Sequence, residues 1–125
     1  MNEPGSWCWN ELGTTDTDAD GKFYAGLFGW GINAMDMGTM TYTLFKVGEK
    51  DAGGMYKITP EMGGMPPNWM AYFAVADCDK TAEKVGSLGG RVIMPPSDIP
   101  NVGRFALVQD PRGAFFGIIK LNNPA

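Results

Sequence analysis

The sequence predicts an α+β protein built from a duplicated βαβββ-like unit, and three observations carry that prediction. The first is internal repetition: a shift of 61 positions superimposes Asp16 on Asp77, Asp18 on Asp79, Leu27 on Leu88 and Gly29 on Gly90. The second is order, since each copy runs from an aromatic-rich alternating segment through a capped helical stretch into paired alternating segments. The third is composition: 18 glycines and 9 prolines in 125 residues favour turns and short strands, while 44% hydrophobic residues can fill a core. Two such units, neither able to bury a sheet face alone, are expected to make one domain over residues 1–125 with a cleft suited to a small molecule.

Residues 6–12 (SWCWNEL) alternate around large aromatics and read as the opening strand, with Trp7, Trp9 and Glu11 on one face and Cys8, Asn10 and Leu12 on the other. Thr15, Asp16, Thr17 and Asp18 supply capping oxygens for a helix in which Ala19, Phe23 and Leu27 form one row and Tyr24 and Phe28 the next, with Gly29 as its stop. Residues 31–38 read as a glycine- and methionine-rich connection. Residues 39–47 and 52–58 then form a hairpin around the turn 48–51, closing a first module of about 6–58. Residues 59–68 (TPEMGGMPPN) are too broken by Pro and Gly for a helix or central strand and read as a linker.

The second module, about 69–121, repeats the plan. A strand over 69–75 leads to the cap Asp77-Cys78-Asp79 and a helix over 80–88 that turns Ala82, Val85 and Leu88 inward. A short strand over 91–94 is stopped by Pro95-Pro96, and segments 104–108 and 114–121 pair around Asp110-Pro111-Arg112-Gly113.

A formal charge of -4 lacks the clustered cations that phosphate backbones require, so nucleic acid is not an expected partner. No stretch approaches the roughly 18 consecutive apolar residues of a membrane span, and residues 1–4 do not open a secretory leader, so no membrane partner and a cytoplasmic location are expected. Cys8 and Cys78 lack CxxC spacing and read as buried fillers; a disulfide between them stays open on sequence but is disfavoured in a reducing compartment. The chain has no histidine, which removes Ser-His-Asp and Cys-His nucleophiles.

In the order CWNEL, TTDTDADGKFYAGLFGW, PPNWMAYFAVADCDKTAEKVGSLGGRV and DIPNVGRFALVQDPRGAFFGIIK, the chain resembles the vicinal oxygen chelate superfamily, which holds glyoxalase I, bleomycin resistance proteins and extradiol dioxygenases. The resemblance covers almost the whole chain and falls in the glyoxalase-like branch. It implies two βαβββ modules forming a cup-shaped, antiparallel-rich sheet with helices on the outer face, commonly in a homodimer. In metal-dependent members a divalent ion is held by a His or Glu from the first strand and a Glu from the last strand of each module. By spacing those positions fall at Trp9, about Met55, about Met70 and Gly117. Indole and glycine offer no ligand atom and thioethers are soft donors unsuited to hard cations, so no metal, no cofactor and no metal-dependent glyoxalase activity are expected.

Glu11 is the candidate catalytic residue, a general base or polar anchor within an aromatic cup; a salt-bridged edge glutamate neutralised by Arg104 or Lys57 is the other reading. Trp7, Trp9, Trp69 and Tyr72, with Phe115 or Phe116, are candidates to line a pocket, or else plain core. Met35, Met37, Met40, Met55, Met62, Met65 and Met70 suit an adaptable binding surface, with Met55 and Met70 shaping the cavity, or fill irregular cores and dimer seams. Residues 98–104 read as a lid or anion clamp, or simply as a turn, and Gly53-Gly54 as a bulge. The expected function is binding of an apolar or aromatic small molecule in a Trp- and Met-lined cavity without a metal. The alternatives are a lyase or isomerase using Glu11 or a divalent metal at relocated ligands, and a dimerisation module whose cup is filled by a partner chain.

Overall fold

The computed structural model describes residues 3–36, 41–60, 64–99 and 102–122, in which eight strands and two helices form. The chain divides into two compact units, Asn10–Trp69 and Met1–Trp9 with Met70–Ala125. Strands β1 (Trp7–Thr14) and β5 (Asn68–Ala74) each run from one unit into the other. The α+β class and the two βαβββ modules expected from the repeat are present.

In the first module α1 (Thr17–Phe28) is followed by β2 (Gly31–Asp36), β3 (Thr41–Val47) and β4 (Lys50–Lys57), in the sheet order β2-β3-β4-β1. β2, β3 and β4 are antiparallel and β1 runs parallel to β4. The Asp16 carboxylate accepts the Ala19 N–H at 3.0 Å, which satisfies a donor that the first helical turn leaves open. Gly29 takes φ 72° and its N–H bonds the Ala25 carbonyl at 2.8 Å, a left-handed stop that a side chain would strain. Leu12, Phe45 and Met55 form the buried core under α1, with Tyr24 and Trp30 packed against it. One expectation fails here, and one facing that the sequence left open is settled. The stretch after Gly29 is not a connection but strand β2, paired over six consecutive residues with β3. The row Ala19, Phe23 and Leu27 faces outward; α1 reaches the core through Gly21 and Tyr24, because Gly21 lets the helix lie close to Met55.

In the second module α2 (Cys78–Ser87) is followed by β6 (Arg91–Ile99), β7 (Gly103–Gln109) and β8 (Phe115–Leu121), in the order β5-β8-β7-β6. β8 runs parallel to β5, and the other pairs are antiparallel. Asp77 caps α2 at Lys80 N–H, 3.0 Å, repeating the Asp16 arrangement. The core joins Cys78 and Ala82 of α2 to Ala106, Val108 and Ile118, with Val75, Val85 and Phe116 against it. The inward row holds for Ala82 and Val85, whereas Leu88 lies past the last helical turn and is 68% exposed. β6 continues through Pro95-Pro96, where a stop is expected: register shifts between Val92 and Met94 and between Met94 and Ser97 let an edge strand carry residues without an N–H.

Met37, Met40, Met62, Gly63, Pro100 and Asn101 lie outside the described residues. Among the described residues no helix is long and apolar enough to cross a membrane.

Candidate functional site

The sheet face opposite α1 carries the one predicted catalytic residue. Strand alternation puts Leu12 into the core and its neighbour Glu11 on the other side, where it is 8% exposed. Its counterpart across the β1–β4 pair is Gly54, and that missing side chain admits the ring of Tyr42 from β3. Tyr42 Oη then donates to Glu11 Oε2 at 2.6 Å, a short charge-assisted bond. Tyr56, two residues beyond Gly54 on β4, uses the space beside Gly13 in the same manner: a Cβ there would lie 2.8 Å from its hydroxyl. The Tyr56 hydroxyl donates to Met65 Sδ at 3.6 Å, and burial together with the nearby Glu11 charge pushes its pKa up to about 12. The phenol therefore keeps its proton at neutral pH.

Sequence reasoning found Glu11, and Met65 among the methionines, but missed Tyr42, Tyr56 and the role of Gly54. The signal was present in the hairpin, because the pairing of Leu44 with Gly54 sets Tyr42 and Tyr56 on one face. What hid it is a bulge at Ala52, which shifts the register between Phe45–Gly53 and Lys46–Asp51.

The remaining candidates are dispersed. Met55 is 1% exposed in the core under α1. Trp69 joins the same side: its Nε1 donates to Tyr24 Oη at 3.1 Å, and its ring lies 6.2 Å from that of Phe45. In the other unit Trp7, 71% exposed, packs edge-on against Phe73 at 4.7 Å, and Phe73 meets Phe116, which leans on the α2 core. Met70 and Tyr72 are buried, the Tyr72 ring filling the space above Gly117, and Trp9 is half-buried. Arg104 is neither an anion clamp nor a partner of Glu11, because its guanidinium grips Asp79 at 2.9 and 3.0 Å and Asp98 at 3.1 Å. That contact holds the Asp79 carboxyl below the usual carboxylate range. Cys8 and Cys78 are both free thiols, raised by burial, Cys78 to about 11. A shallow cavity of about 300 Å³ at the start of α2, lined by Val75, Asp77, Lys80, Thr81 and Lys84 among others, includes none of the candidates.

Residues 9–118 match the Glyoxalase/Bleomycin resistance protein/Dioxygenase superfamily, and the chain belongs to that family. It is 42% identical over 121 residues to the Mycobacterium tuberculosis protein named "Putative glyoxylase CFP32", a match over 96% of this chain and 46% of the relative. It is 38% identical over 128 residues to the anthracycline biosynthesis protein DnrV of Streptomyces peucetius, covering 92% of this chain and 46% of that one. The chain thus spans about half the length of the curated relatives it matches. Among solved structures, a methylmalonyl-CoA epimerase from Streptomyces coelicolor superimposes with a TM-score of 0.66 at 16% identity, over 97% of this chain and 100% of that one. A hypothetical protein, BH1468, from Bacillus halodurans C-125 does so with a TM-score of 0.66 at 12% identity, over 98% and 99%. These two likenesses show the fold.

The divalent ion of metal-dependent family members does not fit the corresponding positions. Register makes Gly54, rather than Met55, the counterpart of Gly117, since each faces the first-strand residues Glu11 and Tyr72 related by the repeat. Both glycines lack a ligand, and their side-chain space is taken by the rings of Tyr42 and Tyr72. Trp9 and Met70 add no hard donor.

Proposed function

We propose that the protein binds a small apolar or aromatic ligand, with Glu11 as its polar anchor and no metal taking part. The observation that carries this reading is the buried Glu11 carboxylate held by Tyr42 at 2.6 Å on a face of rings, glycine and methionine. A desolvated carboxylate of fixed orientation is a selective acceptor for a cation or donor group, and the half-buried Tyr42 ring beside it supplies flat apolar surface. The relative named for anthracycline biosynthesis supports a planar polycyclic ligand class. The free state of both thiols supports the cytoplasm as location, and we assign a homodimer as the assembly.

Calorimetric titration with a cationic anthracycline and a neutral planar analogue tests the reading. Binding of both is expected, with Glu11→Gln weakening the cationic compound roughly tenfold or more and sparing the neutral one. Indifference of the wild type to both compounds, or of the cationic compound to Glu11→Gln, overturns it.

A second reading, isomerase or lyase chemistry with Glu11 as base, draws support from the Tyr56 phenol, a protonated acid held within the electrostatic reach of Glu11. Turnover of methylglyoxal with glutathione that disappears in Glu11→Gln would put it in place of the binding reading.

A further inference from the structure

The geometry points to Tyr42 as the specificity-determining gate of the Glu11 site: its hydroxyl holds the position on the carboxylate that a ligand's donor group takes, and only a donor that bonds Glu11 better than a phenol turns the ring out. Resting on the binding reading above, this makes Tyr42 the residue that decides which ligands reach the anchor. With the Tyr42 bond in place Glu11 is 8% exposed, so a donor approaching from the sheet face opposite α1 meets the phenol before the carboxylate. The hydroxyl stands where a Cβ of residue 54 would be, and glycine at that position is what lets the ring close down on β4. The bond that holds Glu11 is therefore the bond a ligand has to replace.

Of the two tyrosines near Glu11, Tyr42 is the one with room to move. Tyr56 is buried, its ring lies against Gly13 and its hydroxyl is engaged by Met65. Tyr42 is half-buried, and its direct counterpart on β2 is Met35, an exposed residue. Directly opposed residues of an antiparallel pair share a face, with Cβ atoms roughly 4.5–5.5 Å apart. A change of χ1 thus carries the Tyr42 ring off Gly54 and along the Met35 thioether, a flexible apolar partner suited to aromatic contact. The ring stays beside the site as flat surface for a planar ligand while its hydroxyl leaves the carboxylate. A neutral hydroxyl or amide donor only exchanges one neutral bond to Glu11 for another. A protonated amine adds a full charge in a desolvated site, where attraction is less screened, so cations open the gate and neutral compounds leave it closed.

The test is calorimetric titration of the full chain with the cationic anthracycline and the neutral planar analogue, in the wild type, Tyr42→Phe, Glu11→Gln and the double variant. Tyr42→Phe keeps the ring and removes the competing donor, so the cationic compound is expected to bind roughly tenfold tighter, the neutral one to gain less, and the cation's gain to disappear once Glu11→Gln is added. A tyrosine that only orients Glu11 or supports the fold gives the opposite sign, since its loss then weakens binding. Where Glu11→Gln alone weakens the cationic compound, unchanged or weaker binding of that compound to Tyr42→Phe overturns the gate and leaves the binding reading standing. A gain shared equally by the neutral analogue, or surviving in the double variant, does the same. A wild type indifferent to both compounds, or a cationic compound indifferent to Glu11→Gln, overturns the binding reading and the gate together. Tyr42→Met, which also lacks a donor, serves under the same criteria should Tyr42→Phe melt early.

Discussion

Where β1 carries Glu11, β5 carries Tyr72, and across its parallel pair each residue meets a glycine, Gly54 in one module and Gly117 in the other. In the second module Tyr72 fills its own glycine's space, lies 6.4 Å from the Phe105 ring, and is buried. In the first, the space is filled from a third strand by Tyr42, whose hydroxyl is thereby aimed at a carboxylate. The same contrast recurs on the other face: α2 buries Cys78 and Ala82, whereas α1 buries only Gly21 and exposes an aromatic row. One copy of the duplicated frame has been closed into plain core. The other keeps a held charge on one side and exposed apolar side chains on the other, which is why the ligand is assigned to it.

The glycine pair offers the strongest way to break this comparison. A methyl at Gly117 runs into the body of the buried Tyr72 ring, which has no room to leave, so Gly117→Ala is expected to cost about 3 kcal/mol. A methyl at Gly54 meets the far end of Tyr42, which can swing away at the expense of its bond to Glu11, for about 1–2 kcal/mol. Urea denaturation of the two variants measures the difference; equal costs would mean that the two glycines do the same job.

Alkaline unfolding comes next. Tyr56 in the first module and Cys78 in the second have folded pKa values raised to about 12 and about 11, so the fold favours their protonated forms. Their contribution is complete below pH about 9, where the unfolded thiol begins to ionise, and is lost as pH rises toward about 12. Each is expected to remove about 2 kcal/mol across its window, Cys78 between about pH 9 and 11 and Tyr56 between about pH 10 and 12. Denaturation curves from pH 8 to 12 check this, with Tyr56→Phe flattening the upper part of the fall and Cys78→Ala the lower. A stability that does not change across this range would remove the claim that both groups are held neutral by burial.

The sequence made the frame legible because caps and alternation are local properties. Asp16, Asp77 and Gly29 declare themselves by residue type, and Glu11 by its place beside Leu12 in an alternating strand. β2 was not legible, since GINAMD has no alternation and gains its strand only by pairing with β3. Nor was the outward row of α1: Ala19, Phe23 and Leu27 have the spacing of a buried stripe, and the choice of Gly21 as the contact face depends on the bulk of Met55 beneath it. The tyrosines around Glu11 were hidden by the extra residue Ala52, which reverses the apparent facing of every position beyond it. Trp69 and Met55 have side chains suited to a ligand, but large apolar side chains fill a core equally well, and composition does not choose between the two.

The smallest expected effect bears on what the modules still share. Asp16 and Asp77 each accept a backbone N–H three residues on, at 3.0 Å, from exposed positions, so Asp→Ala at either site is expected to cost about 1 kcal/mol. The two costs should agree within about 0.5 kcal/mol, with asparagine restoring most of the loss in both. Asp77 has one additional role, its carbonyl accepting Thr81 Oγ at 2.7 Å, but that bond survives truncation of the side chain. The comparison therefore isolates the cap itself. Matching costs would place the divergence of the two modules entirely in what lies beyond the helix starts, at Glu11, the α1 surface and the β2 edge, whereas a much cheaper Asp16→Ala would mean that α1 is held by the packing of Gly21 and Tyr24 more than by its cap.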